Sequence, residues 1–210
     1  MDIIPHILFT DEAQFTRNGI NNTRNSHMWA EKKPHATIVV NHQHRFSVNV
    51  WCGLLNNHLI GPHFIEGPLR AENYRRLLED DLPTYMEDIP LEDRRDIWFQ
   101  QDGAPPHFGR QVTAFLNEKF PERWLGRGGP VHWPARSPDL SPLDFFLWGC
   151  LKSRVYCYDK PDTHEELTNW IIEATTSLKN ELAGINWQQS MIRRVAVCLE
   201  HRGSHFEQFL

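Results

Sequence analysis

The segment IIPHILFTDE (3–12) is an unbroken apolar run that ends in two acids. A strand that is apolar on both faces is stable only in the middle of a sheet covered on both sides. RFSVNVWCGLL (45–55) alternates instead, with Phe46, Val48 and Val50 on one side and Asn49 and Trp51 on the other. HLIGPHFIEG (58–67) follows after the turn pair Asn56-Asn57. These three strands are expected to form an antiparallel meander, with HMWAEKKP (27–34) as a short edge piece.

Helical spacing takes over after residue 70. RAENYRRLLEDDLPTYMED (70–88) reads as a helix with Tyr74, Leu77, Leu78 and Leu82 on one face, ended or kinked by Pro83. DIWFQQD (96–102) reads as a fourth strand. FGRQVTAFLNEKF (108–120) reads as a second helix, with Val112, Phe115, Leu116 and Phe120 on its apolar side. RGGP is loop, and VHW (131–133) is the expected fifth strand. SPLDFFLWGCLKSRVY (141–156) carries an apolar stripe at Leu143, Phe146, Leu147, Cys150 and Leu151. From KPDTHEELTNWIIEATTSL onward the chain reads as helices, with Leu167, Trp170, Ile171, Ala174 and Leu178 at helical spacing. The order implies an α/β fold with a mixed five-stranded sheet flanked by helices and a helical C-terminal tail.

A length of 210 residues suits one domain, or one domain with an appendage, and 40% hydrophobic residues exclude wholesale disorder. No apolar run reaches the length of a membrane span, and the N-terminus lacks a secretory pattern, so no membrane partner is expected. Cys52, Cys150, Cys157 and Cys198 form no C-x-x-C pair, which argues against a disulfide framework or a structural zinc site; reduced thiols in an intracellular protein are the default. The net charge of −5 argues against a protein that grips nucleic acid by charge alone, so any such function must rest on a local site.

Three carboxylates stand out by position. Asp11 closes the first expected strand, Asp102 the fourth, and Asp144 lies in the first turn of the helix after the fifth. Strand ends and helix starts from distant segments converge at one sheet edge in α/β folds. Three carboxylates in one cleft repel one another and call for hard cations, Mg²⁺ or Mn²⁺. A pair of such ions is the standard device for in-line displacement at phosphorus.

Each acid also has a plainer reading. Ser141, Pro142 and Asp144 approximate a capping box. Asp102 sits in an Asp-Gly turn followed by Pro105-Pro106. Glu12 rivals Asp11, and periodicity does not choose between them; Asp139 in SPDLSP rivals Asp144. His42 and His44 lack a third zinc ligand nearby, HRGSHFE (201–207) has no metal-ligand spacing, and the Arg pairs at 75–76, 94–95 and 193–194 read as solvated faces.

ILFTDEAQF (7–15), SVNVWCGLL (47–55), WFQQDGAPPH (98–107) and WPARSPDLSPLDFFLWG (133–149) together resemble, in motif and order, the catalytic domain of mariner-like transposases. The resemblance covers roughly residues 5 to 158 and implies a ribonuclease H-like fold. Its acidic triad falls on Asp11, Asp102 and Asp144, which prefers Asp11 over Glu12 and Asp144 over Asp139. Between Asp102 and Asp144 lie 41 residues, longer than in mariner proper, with RWLGRGGP (123–130) in the added length. The implied chemistry is cleavage of DNA phosphodiesters and transfer of a freed 3′ end, dependent on two Mg²⁺ or Mn²⁺ ions. Asp11 would bridge both ions. His107 and Arg136 would contact DNA phosphates.

The resemblance further implies transposon ends and target DNA as partners, leaves room for a homodimer, requires no small-molecule cofactor and points to the nucleus. Residues 1–158 are expected to form the catalytic domain and 159–210 a helical extension packed on it. The family's N-terminal helix-turn-helix modules are expected to be absent, because Met1 stands only a few residues before the first strand. An inactive or domesticated remnant acting as a binding module is the alternative, and a stand-alone nuclease of the same fold a third. Replacing Asp102 by Asn is expected to relieve repulsion, leaving metal-free melting level or higher.

Overall fold

The computed structural model describes residues 3–17, 19, 46–157 and 160–210. Its centre is strand β1 (Ile7–Thr16), flanked by β2 (Ser47–Leu55) and β4 (Trp98–Gln100), with β3 (His58–Ile65) and β5 (Trp124–Leu125) at the edges. The order is β3-β2-β1-β4-β5. The first three strands form the expected antiparallel meander, while β4 and β5 run parallel to β1, which makes the sheet mixed. The expected edge piece at 27–34 and the His42–His44 pair lie outside the described residues.

Three boundaries differ from expectation. A 3-10 turn (Ile4–His6) containing Pro5 precedes β1, and the strand runs on past Asp11 to Thr16. What stops near Asp11 is the parallel pairing, since β1 meets β4 only at Ile7–Phe9. The fifth strand is Trp124–Leu125, not 131–133; Val131 makes an isolated bridge to Leu125. Trp124 is fully buried, and Gly129 passes so close that a Cβ there would stand 2.8 Å from the indole. A two-residue strand followed by glycines carries no alternation, which hides it in sequence.

The sheet buries both faces. On one, Phe9, Phe15, Val50 and Cys52 pack against α5 (Trp148–Val155), α6 (His164–Glu181) and α7 (Trp187–Glu200). On the other, Leu8, Trp51, Ile60 and Phe99 pack against α1 (Ala71–Arg76), α2 (Leu82–Tyr85) and α4 (Arg110–Lys119). A short α3 (Leu91–Arg94) follows α2. The single helix expected over 70–88 is interrupted by a π turn, Leu77–Asp81. The turn ends beside Pro83, whose missing N–H removes one helical hydrogen bond.

Helix α6 starts where the Thr163 hydroxyl accepts the Glu166 N–H, and it buries Leu167, Ile171, Ala174 and Leu178. Each buried Leu or Ile contributes about 1.5–3 kcal/mol relative to exposure. The tail helices therefore share a core with the sheet. No helix among the described residues is long and apolar enough to cross a membrane. All four cysteines are free thiols.

Candidate active site

Alternation along β1 separates Asp11 from Glu12. Phe9, Ala13 and Phe15 point to the face covered by α5, and Asp11 falls in step with them. Its Oδ2 accepts a 2.8 Å hydrogen bond from Trp148 Nε1. Glu12 points to the opposite face, where its Oε2 stands 3.3 Å from His107 Nε2. Trp148 follows Asp144 by four residues, one helical turn, so the segment that carries the third acid also anchors the first.

Asp102 lies just past the end of β4. Thr10 Oγ1 donates to the Gln100 carbonyl at 2.7 Å, tying β1 to β4 just past the end of their parallel pairing. The chain then turns, and Asp102 Oδ1 accepts the Ala104 N–H at 2.9 Å. The turn-forming role of Asp102 is thus present, and it leaves the side chain half-exposed. Asp144 sits in a π turn (Leu143–Leu147) leading into α5, and its N–H donates to the Ser141 carbonyl at 3.1 Å.

Asp11, Asp102 and Asp144 line one cleft of about 460 Å³, together with Arg127, Trp133 and Arg136. Neither Glu12 nor Asp139 lines it. Arg136 adopts a left-handed backbone (φ 56°), uncommon for a residue with a side chain. The Arg127 guanidinium lies over the Phe108 ring, 4.0 Å from its centroid.

The carboxylates feel burial and one another. Burial, then the charge of Asp144, pushes the Asp11 pKa up to about 7 against the pull of the Trp148 bond. Burial also raises Asp144; the Ser141 hydroxyl opposes it and the Asp102 charge adds to it. Burial would raise Asp102 as well, but the His107 and Ala104 hydrogen bonds carry it below the usual carboxylate value.

His107 has a different place from the phosphate contact expected of it. Its side chain is 2% exposed, with Nδ1 2.5 Å from Asp102 Oδ1 and Nε2 facing Glu12. The Glu12 contact is an ion-pair distance that is out of line for a hydrogen bond. The Tyr74 ring packs against the imidazole at 4.3 Å between centroids. Closed in by two acids and a phenol, His107 has no face toward the cleft's solvent. Of the two expected phosphate contacts, Arg136 alone lines the cleft.

No protein-family model matches the chain. Its sequence is 27% identical over 189 residues to the Transposable element Tc3 transposase of Caenorhabditis elegans, a match covering 89% of this chain and 52% of that protein. The chain thus spans about half the length of the curated relative it matches. The mariner Mos1 paired end complex with Mg superposes with a TM-score of 0.73 at 20% identity, over 98% of this chain and 58% of that one. The Mos1 transposase catalytic domain superposes at 0.68 and 18% identity, over 97% of this chain and 85% of that one. In sequence the chain is similar to the Tc3 transposase, and in fold to the Mos1 transposase catalytic domain. The mixed sheet with helices on both faces is accordingly the ribonuclease H-like fold.

Oxygen-only ligands, with two of three carboxylates raised by burial and mutual charge, suit a hard divalent cation that would relieve the repulsion. Among the described residues, no group of three or more His, Cys, Asp or Glu side chains is spaced to hold a metal ion. The chemistry of the donor set fits; its spacing is that of an open cleft.

Proposed function

We propose that this chain is the catalytic portion of a DNA transposase that cleaves DNA strands and transfers a freed 3′ end. The observation that carries the reading is the convergence of Asp11, Asp102 and Asp144, from a central strand, a strand end and a helix start, on one solvent-open cleft. Mg²⁺ or Mn²⁺, held by these carboxylates, would supply activation of the attacking water or hydroxyl and stabilisation of the leaving oxygen. Arg127 and Arg136, on the cleft wall, would meet the phosphate backbone. The Asp11–Trp148 bond fixes the orientation of the first acid, and the Asp102 turn fixes the second. The nucleus is the compartment in which such chemistry on chromosomal DNA would take place.

Nicking of a supercoiled plasmid with Mg²⁺ or Mn²⁺, together with joining of a pre-cut 3′ end to target DNA, tests the reading. Both activities should disappear in Asp144→Asn. Nicking without joining would point to a stand-alone nuclease.

One observation favours a second reading, a remnant that binds and does not cut. Asp102 is engaged by His107, and the described carboxylates are not at metal-ligating spacing. Absence of nicking in either metal, with the fold intact, would favour that remnant.

A further inference from the structure

Helix α7 belongs to the tail, far in sequence from the three acids, yet it reaches the segment that carries Asp144. Arg194 makes the connection. Its Nη1 donates to the Asp139 carbonyl at 3.2 Å, and its guanidinium lies over the Phe145 ring, 4.3 Å from the centroid. These two points bracket Asp144 in sequence. The Arg194 side chain is 16% exposed, its Nε is buried without a hydrogen-bond partner, and Glu207 stands 3.8 Å from Nη1. Burying a guanidinium with one donor unpaired is costly. A helix that needed only to dock would do so with apolar side chains, as Met191 already does on the same helix. The same helix also reaches the cleft through rings: Trp187 packs edge-on against Phe9 at 6.0 Å, and Phe9 against the cleft residue Trp133 at 6.1 Å.

We propose that Arg194 is a positioning residue for Asp144, so that the C-terminal helix sets the geometry of the third carboxylate. The inference rests on the metal-site reading above and deepens it. The Arg194 fork holds the turn before Asp144 (Pro138–Leu140) and the ring after it in fixed relation, and the intervening carboxylate follows. Planarity matters: a lysine can donate to the Asp139 carbonyl or lie over the ring, but it cannot span both as a fork does.

The test compares the full chain with Arg194→Met, which keeps the aliphatic stem, Arg194→Lys, which keeps the charge, and Arg193→Met as a control on the same helix. Two quantities are read: melting without metal, and Mn²⁺ affinity from the loss of the free-ion electron paramagnetic resonance signal. Arg194→Met is expected to bind Mn²⁺ about tenfold more weakly, the effect typical of residues that orient ligands from behind. Arg194→Lys should fall between it and the parent, and Arg193→Met should match the parent. A lowered metal-free melting point with unchanged Mn²⁺ affinity would make Arg194 a docking residue only and overturn the proposal. If Arg194→Met does not fold, parent-like Mn²⁺ affinity in Arg194→Lys overturns it equally. A parent that binds no Mn²⁺ overturns the metal-site reading, and the positioning role with it.

Discussion

His107 Nδ1 stands 2.5 Å from Asp102 Oδ1, inside a pocket closed by Tyr74 and Glu12. Both ring nitrogens face carboxylates, so the imidazolium is the form the pocket fits. Burial opposes that charge, but the hydrogen bond to Asp102 and the nearby Glu12 carboxylate prevail, lifting the His107 pKa from 6.5 to about 10. A raised folded-state pKa gives stability that is complete below the unfolded value of 6.5 and is lost as pH rises through about 10. His107→Gln is expected to remove that loss and to cost about 1–3 kcal/mol at neutral pH. Urea melts at several pH values between 6 and 10 check it; a parent slope retained in the variant would mean the imidazole is neutral.

The same contact reverses the sequence-based expectation for Asp102→Asn. Relief of repulsion with Asp144 is outweighed by loss of the charged partner of His107. Metal-free stability is expected to fall by about 1–3 kcal/mol, while stabilisation by added Mn²⁺ shrinks. Paired melting curves, with and without Mn²⁺, read both; a Mn²⁺ response equal to the parent's would remove Asp102 from the metal site.

Asp11 governs a lower pH window. Its folded value of about 7 lies above the ordinary carboxylate value of 3.8, so its contribution is favourable below 3.8 and is lost as pH rises through about 7. Metal-free protein should therefore weaken between those limits, at no more than about 1.4 kcal/mol per pH unit from this group. Asp11→Asn should flatten that stretch and leave the His107 window above it untouched. A variant with the parent's full slope below pH 7 would assign the titration to another acid.

The tail helices share the sheet's core, so damage to them should spread. Ile171 is fully buried, and Ile171→Ala is expected to cost about 2–5 kcal/mol. Denaturation should remain a single transition monitored by tryptophan fluorescence. Limited proteolysis that frees a stable fragment ending near residue 157 would show instead a tail that folds apart.

With a net charge of −5 and two arginines on the cleft, DNA should bind through few phosphate contacts. The expected affinity is roughly 10⁻⁴–10⁻⁶ M without sequence preference, weakening steeply with salt. Fluorescence anisotropy near physiological salt measures it; tight, sequence-selective binding would reveal a recognition surface elsewhere on the chain.

The sheet and its helices were largely legible because apolar periodicity is strong in segments such as 45–55 and 162–178. The fifth strand was not, since two residues at Trp124–Leu125 have no period. Periodicity alone does not choose between Asp11 and Glu12, because alternation says only that they face opposite ways; the motif resemblance prefers Asp11, and the face on which Trp148 lies is the physical reason that sequence does not show. Trp148 itself had a readable signal, one helical turn beyond Asp144. The burial of His107 had none, because it depends on Tyr74 and Glu12 from distant segments. Arg194 read as one of a solvated pair, and only tertiary packing shows that it turns inward.

The two cores on either side of the sheet give the cleft an unusual dependence. Asp144 is braced from the layer of α5 and α7, whereas the partner of Asp102 is locked into the layer of α1 through Tyr74. The acids are thus mounted on different halves of the molecule, with β1 between them. A substitution that repacks either half alone is therefore expected to displace one carboxylate against the others, so changes in either core should be felt in the cleft.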